Sequence, residues 1–213
     1  MSAAGPSSDP ALLSLHGVRV LGGPSTAAIA ERFRLPAAQV AEHLLDAQAY
    51  GFVTRYDFFG ETWSLTERGK VENERQLAAE LEVLGARPAV LDAHRRFIAL
   101  NGPHGVACTN WQLRPLPGAR NAVNDHSDPV WDMNVLVELE MLDELLSEVE
   151  ALLTGVLTRF EGYAGLHHDA LARVRRGAHE WLDAPDRASC QLVWIQLHED
   201  LLATLQIPRG SDG

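Results

Sequence analysis

Cysteine is scarce in this chain. Cys108 and Cys190 stand far apart and in no CxxC pair, which argues against a disulfide framework or a thiolate zinc site and fits a reducing, cytoplasmic setting. Long apolar runs are missing as well, so no membrane span is expected. The opening MSAAGPSSDP has neither the charged nor the apolar region of a signal peptide, and residues 1–8 are expected to form a short disordered tail. Catalytic signatures are also lacking: there is no P-loop, no dinucleotide fingerprint and no GxSxG. His198-Glu199 supplies half of HExxH, but Leu202 occupies the place of the second histidine. No catalytic residue, cofactor or metal is therefore expected, and the chain does not read as an enzyme.

A surplus of positive charge is the last absence. The 213 residues carry a formal charge of −11, and the imbalance is uneven. Residues 1–70 hold six basic and seven acidic side chains, whereas the rest hold twelve basic and twenty-two acidic ones. The first segment can approach a phosphate backbone; the second would be repelled by it. Two parts with separate tasks are implied.

The start and stop signals are clear. Asp9-Pro10 places an N-cap before a proline at the first helical position, opening a helix that Gly22-Gly23 ends. Ser25 caps TAAIAERF, Arg34-Leu35-Pro36 makes a short turn, and AAQVAEHLLDAQAY forms a third helix stopped by Gly51. Residues 52–56 and 62–65 read as two strands around a turn containing Gly60. Thr66 then caps another helix with Glu67 in its first turn.

Two helices joined by a three-residue turn and followed by a hairpin follow the order of a winged helix-turn-helix. The stretch STAAIAERFRLPAAQVAEHLLDAQAYGFV, with WSLTERG at the end of the hairpin, resembles regulators of the MarR and PadR kind over the first third of the chain. The resemblance implies that the helix at 36–50 enters the major groove of double-stranded DNA and that helices outside the wing form a homodimer. On the solvent face of that helix, Gln39 and His43 are the candidates to read base edges, while Arg32, Arg34 and Arg55 would hold phosphates. The half-sites would then lie about 34–36 Å apart. The wing itself departs from a basic tip, carrying Asp57, Phe58, Phe59 and Glu61. That departure keeps a second reading open, a protein-interaction module in which Phe58, Phe59 and Trp63 meet a partner protein.

The remainder reads as a helical bundle. The helix from Thr66 weakens near Arg87-Pro88, resumes to Asn101-Gly102-Pro103, and gives way to a short helix through VACTNWQLR. That helix is stopped by Pro115 and Pro117, and GARNAVNDHS reads as a polar loop. Asp128-Pro129 opens a long amphipathic helix, another runs from about 160 to 176, and CQLVWIQLHEDLLATL forms the last. The fold class is thus mainly α: a winged helix with a two-stranded wing and linking helix over 9–86, then a helical effector and dimerisation domain over 87–213. Trp111, Arg114, His126, Trp131, Trp194 and His198 are candidates for a small-molecule effector pocket, because tryptophan and arginine with convergent polar groups line such sites. His167-His168 point about 100° apart on a helix and read as a solvated face. The helices from Thr66 and Pro129 carry more apolar surface than one bundle needs, which again points to a homodimer.

Overall fold

The computed structural model describes residues 5–58, 60–116 and 118–210. It is mainly helical, with eight α-helices and two antiparallel two-stranded sheets among the described residues. Phe59, expected to meet a partner protein, and Pro117, expected to stop a helix, lie outside the described residues. The chain forms two compact units, one of Met1–Leu91, Leu153–Phe160 and Gln196–Gly213, the other of Asp92–Leu152 and Glu161–Ile195. This partition differs from the expected division at 86/87, because two later segments belong to the first unit.

The first unit starts with α1 (Pro10–Leu21), α2 (Thr26–Phe33) and α3 (Ala37–Ala49), followed by β1 (Val53–Tyr56), β2 (Thr62–Leu65) and α4 (Glu67–Leu84). Each start has a visible cause. Asp9 Oδ1 accepts from the amides of Ala11 and Leu12 at 2.8 and 3.3 Å, and Ser25 Oγ accepts from Ala28 at 3.2 Å. Thr66 Oγ1 accepts from the Gly69 amide at 3.0 Å, satisfying a donor that the first turn leaves open. Gly69 is required here: a Cβ would collide with the Phe52 carbonyl oxygen, so the LTERG glycine lets α4 sit against the start of β1. Leu15, Val18, Ile29, Val40, Leu44, Val53 and Trp63 close a core beneath the three helices and the hairpin. Trp63 fixes the hairpin to α2, its Nε1 donating to Thr26 Oγ1 at 3.0 Å while its amide donates to the Pro24 carbonyl at 2.9 Å.

The expected tail is not free from Gly5 onward. The Gly5 amide donates to the Thr154 carbonyl at 2.9 Å, the Pro6 carbonyl accepts from Thr158 at 3.1 Å, and Ser8 is buried. These paired backbone groups hold residues 5–8 in place.

Helices α5 (Arg87–Gln112), α6 (Pro129–Thr154), α7 (Tyr163–Arg175) and α8 (Cys190–Leu205) follow, with β3 (Leu113–Leu116) and β4 (Ala119–Val123) between α5 and α6. Two expectations are corrected. The helix read as ending at Asn101–Pro103 continues through Pro103 to Gln112; Ala99 and Pro103 are exposed, so the carbonyl that loses its donor faces water. The segment read as a polar loop is a hairpin, with Leu113 opposite Val123 and Arg114 opposite Ala122. Its register slips between Arg114 and Leu116, at a proline that cannot donate to the ladder. In the second unit, Ala107, Trp111, Val135, Leu139, Leu171 and Leu182 are among the residues that share one core. The start of α7 is satisfied by Glu150, whose carboxylate accepts from the amides of Gly162 and Ala164 at 3.0 and 2.6 Å.

Candidate functional site

In the first unit the site expected to meet DNA is built on α3. Val40 and Leu44 are fully buried, so the helix is gripped by one face. Ala38, Glu42, Leu45, Asp46 and Ala49 are exposed on its other side. Arg34, the left-handed residue that ends α2 at φ 54°, is exposed beside the start of α3. Gln39 lies half-buried in the first turn.

The other three expected contacts are placed differently. Arg32 turns inward, its Nη2 donating to the Arg159 carbonyl at 3.3 Å. His43 is half-buried, and its Nε2 is shielded with no hydrogen-bond partner. Arg55 is neutralised within its own hairpin, with Nε 3.1 Å from Asp57 Oδ1 and 3.7 Å from Glu61 Oε1. Two cations beyond the expected set are exposed at the start of α4. Arg68 lies over the Phe52 ring at 5.4 Å, and Lys70 pairs with Glu67 at 2.7 Å.

Behind this surface lies a buried charge network that the sequence did not suggest. Arg159 and Asp200 are both inaccessible and hydrogen-bonded to one another. Arg159 also reaches Glu80 at 3.3 Å and donates to Thr204 Oγ1 at 2.8 Å. The His16 ring spans Asp200 Oδ1 at 3.0 Å and Asn73 Oδ1 at 3.2 Å. Burial acts to raise the Asp200 pKa, but the adjacent Arg159 and His16 outweigh it and hold the carboxyl well below the usual range. These partners stand up to 184 residues apart, and no spacing rule connects them.

In the second unit, four of the expected effector residues do come together. Trp111 is buried, with His126 at 4.6 Å and His179 at 5.3 Å between ring centroids. His126, itself left-handed at φ 57°, places Nδ1 3.0 Å from Asp132 Oδ2. Asn124 Nδ2 donates to Asp132 Oδ1 at 2.8 Å and to the Trp111 carbonyl at 3.0 Å. Trp131 Nε1 donates to the Asn110 carbonyl at 2.7 Å, and Arg114 donates to Asp125 and Ser127, each at 2.6 Å. These polar groups serve one another, tying the second hairpin to the start of α6 rather than converging on a shared space. Asp132 was missed; its signal was an acid in the first turn of a helix.

The remaining two candidates lie elsewhere. Trp194 stacks on His104 at 4.0 Å and on Phe97 at 4.9 Å, and its Nε1 donates to Asn101 Oδ1 at 2.6 Å. Burial, with a smaller contribution from His167, pushes the His104 pKa down to about 3, so this ring is neutral at ordinary pH. His198 belongs to the first unit. The solvated face read at His167-His168 is half corrected. His167 is fully buried and His168 is exposed, yet both meet the Asp143 carboxylate, at 2.7 and 2.8 Å. A groove of about 600 Å³ runs beside Asp143, lined also by Glu140, Glu144, Ser147, His168 and Arg175. Burial pushes the Cys108 thiol up to about 12, and the Cys190 thiol is raised as well, leaving neither as a ready nucleophile.

Among the described residues, no group of three or more His, Cys, Asp or Glu side chains is placed to hold a metal ion. No helix there is long and apolar enough to cross a membrane. Compared with protein-family models, curated proteins and solved structures, the chain finds no significant match.

Proposed function

We propose that the chain is a winged helix-turn-helix regulator that binds double-stranded DNA as a homodimer, resembling the MarR and PadR kind in its first unit. The observation that carries this reading is α3, anchored by Val40 and Leu44 while Ala38, Glu42, Leu45 and Asp46 face outward. A helix held by its back and bare on its outer side can enter a major groove. On that outer side, Gln39 suits adenine, Glu42 suits the amino group of cytosine, and Ala38 and Leu45 suit thymine methyl groups. Arg34, Arg68 and Lys70 supply phosphate contacts, and Arg55 adds one when it exchanges its hairpin carboxylates for phosphate. Arg32 supports α2 from inside and has no direct role on DNA. The Trp111–His126–Asp132 cluster braces the second hairpin in this reading, and an effector would bind away from it.

A partner-protein role is favoured by one specific observation. Leu45, Tyr50, Tyr56 and Phe58 are exposed at 52, 64, 55 and 93%, an apolar set shared by α3 and the first hairpin. The two readings part on DNA selected by the full chain from a random duplex library at low salt. Enrichment of one sequence, weakened about tenfold or more by Arg34→Ala, supports the regulator. Failure to retain any duplex assigns the surface to a protein.

A further inference from the structure

Helix α6 leaves an apolar stripe uncovered along its whole length. Val130, Met133, Val137, Met141, Leu145 and Leu152 are exposed at 68, 53, 45, 54, 41 and 42%. At 100° per residue they fall within a sector of roughly 120°, the width of a buried helix face. The opposite face is already used, since Val135, Leu139, Leu142, Leu146 and Val149 are buried. The 26-residue helix is about 39 Å long, and the stripe amounts to something on the order of 500 Å² of apolar surface. A stable interface takes about 800 Å² from each partner, of which about 60% is apolar. The stripe with its polar margins meets that requirement.

We infer that a second copy of this chain covers the stripe, through an antiparallel α6–α6 contact whose twofold axis passes at Met141. Apart from Met133, whose counterpart Val149 is buried, the stripe is self-complementary about that residue. Val137 and Leu145 stand four positions to either side of it, and Val130 and Leu152 eleven. In this register each valine meets a leucine of the second copy, and Met141 meets itself, as an isologous contact requires. One polar pair nearest the seam obeys the same symmetry. Asn134 and Glu148, seven positions to either side of Met141, face one another across the seam, so an amide donor meets a carboxylate. The two Glu148 side chains are then about 21 Å apart. A parallel, in-register contact would place Glu148 against Glu148 and Glu144 against Glu144, with no cation on α6 to offset them. Antiparallel pairing separates the two Glu148 side chains, which lie nearest the seam, and leaves only Glu138 and Glu144, on the flanks of the stripe three positions to either side of Met141, at the same level as like charges. The contact stands on α6 alone and does not depend on what the first unit binds.

The test is sedimentation equilibrium of the full chain, with two substitutions at the axis. Wild type is expected as a dimer at micromolar concentration. Met141→Glu, which sets two carboxylates face to face, is expected to weaken association a hundredfold or more while leaving the helical circular dichroism unchanged. Val83→Glu, at an 85% exposed position outside the stripe, is expected to leave the dimer intact. Met141→Cys adds an accessible thiol to a chain whose own two cysteines are buried, and mild oxidation is expected to cross-link it to its copy. A monomeric wild type would overturn the inference. A dimer indifferent to Met141→Glu, or a Met141→Cys dimer that does not cross-link, would overturn it equally.

Discussion

The two units hide polar groups in different ways. The first encloses full charges: Arg159 and Asp200 are inaccessible, with His16, Asn73 and Thr204 completing their bonds. The second relies more on aromatic rings, stacking His104 on Trp194 and setting Trp111 against His126 and His179, and its one buried carboxylate among the described residues, Asp143, meets the His167 ring. Buried charges are costly to desolvate and tolerate only one geometry, whereas stacked rings gain from area and permit adjustment. The contrast teaches that the unit proposed to present α3 to DNA is the one locked by charge. Its network joins α1, α4, the 3₁₀ turn at Thr158–Phe160 and α8, and Arg32 extends it to α2.

Removing one partner of the charged pair is the harshest way to break this comparison. Arg159→Met leaves Asp200 buried beside His16 without its main counter-ion and is expected to cost about 3–5 kcal/mol in urea unfolding. Adding Asp200→Asn is expected to recover a large part of that loss, because the uncompensated charge is gone. The pH dependence follows from the sign of the shift. Asp200 has a depressed folded pKa, so its contribution is in place above the ordinary carboxylate value near 4 and is lost only as the pH falls through the depressed one. Acid unfolding of wild type is therefore expected to be later and steeper than that of the double variant.

A smaller effect is expected in the second unit. Asn124→Ala removes the bonds to the Trp111 carbonyl and to Asp132. The expected cost is about 1–3 kcal/mol, with faster hydrogen exchange at the amides of β3 and β4 as the local readout. Retained protection there would mean that side-chain packing, not Asn124, holds the hairpin.

The smallest effect belongs to Asp143. Hydrogen bonds from His167 and His168 hold its carboxyl below the usual range against the opposing effect of burial, and the same bond raises the pKa of His168. Asp143→Asn is expected to return the His168 titration toward about 6.5, as read by NMR of its ring. Because the folded pKa of His168 is raised, its share of stability is present below about 6.5 and fades as the pH rises through the raised value. The ring is exposed, so solvent screening keeps that share small. An unchanged His168 titration would dismiss the carboxylate as its cause.

Much of the local architecture was legible from caps and breakers. Asp9-Pro10, Ser25, Thr66 and Asp128-Pro129 announce helix starts because their side chains satisfy amides within their own turn. The breakers misled in two places. Pro103 is accommodated because the unsatisfied carbonyl faces water, and Pro115 is tolerated at an irregularity in a two-stranded ladder. The partners of buried polar groups were illegible for another reason: Arg159 with Asp200, and Asp143 with His167, are joined only by tertiary folding. The cationic surface was misjudged in the same way. Nothing local to Arg32 signals the Arg159 carbonyl, although Asp57 and Glu61 beside Arg55 were in plain view.

The most direct measurement is the affinity of the full chain for its selected duplex as a function of salt. With Arg34, Arg55, Arg68 and Lys70 on each of two protomers at phosphates, log K is expected to fall against log salt with a slope of about −7, and Arg34→Ala is expected to reduce that slope by about 2. An affinity indifferent to salt, or no binding to duplex at low ionic strength, would contradict the regulator reading.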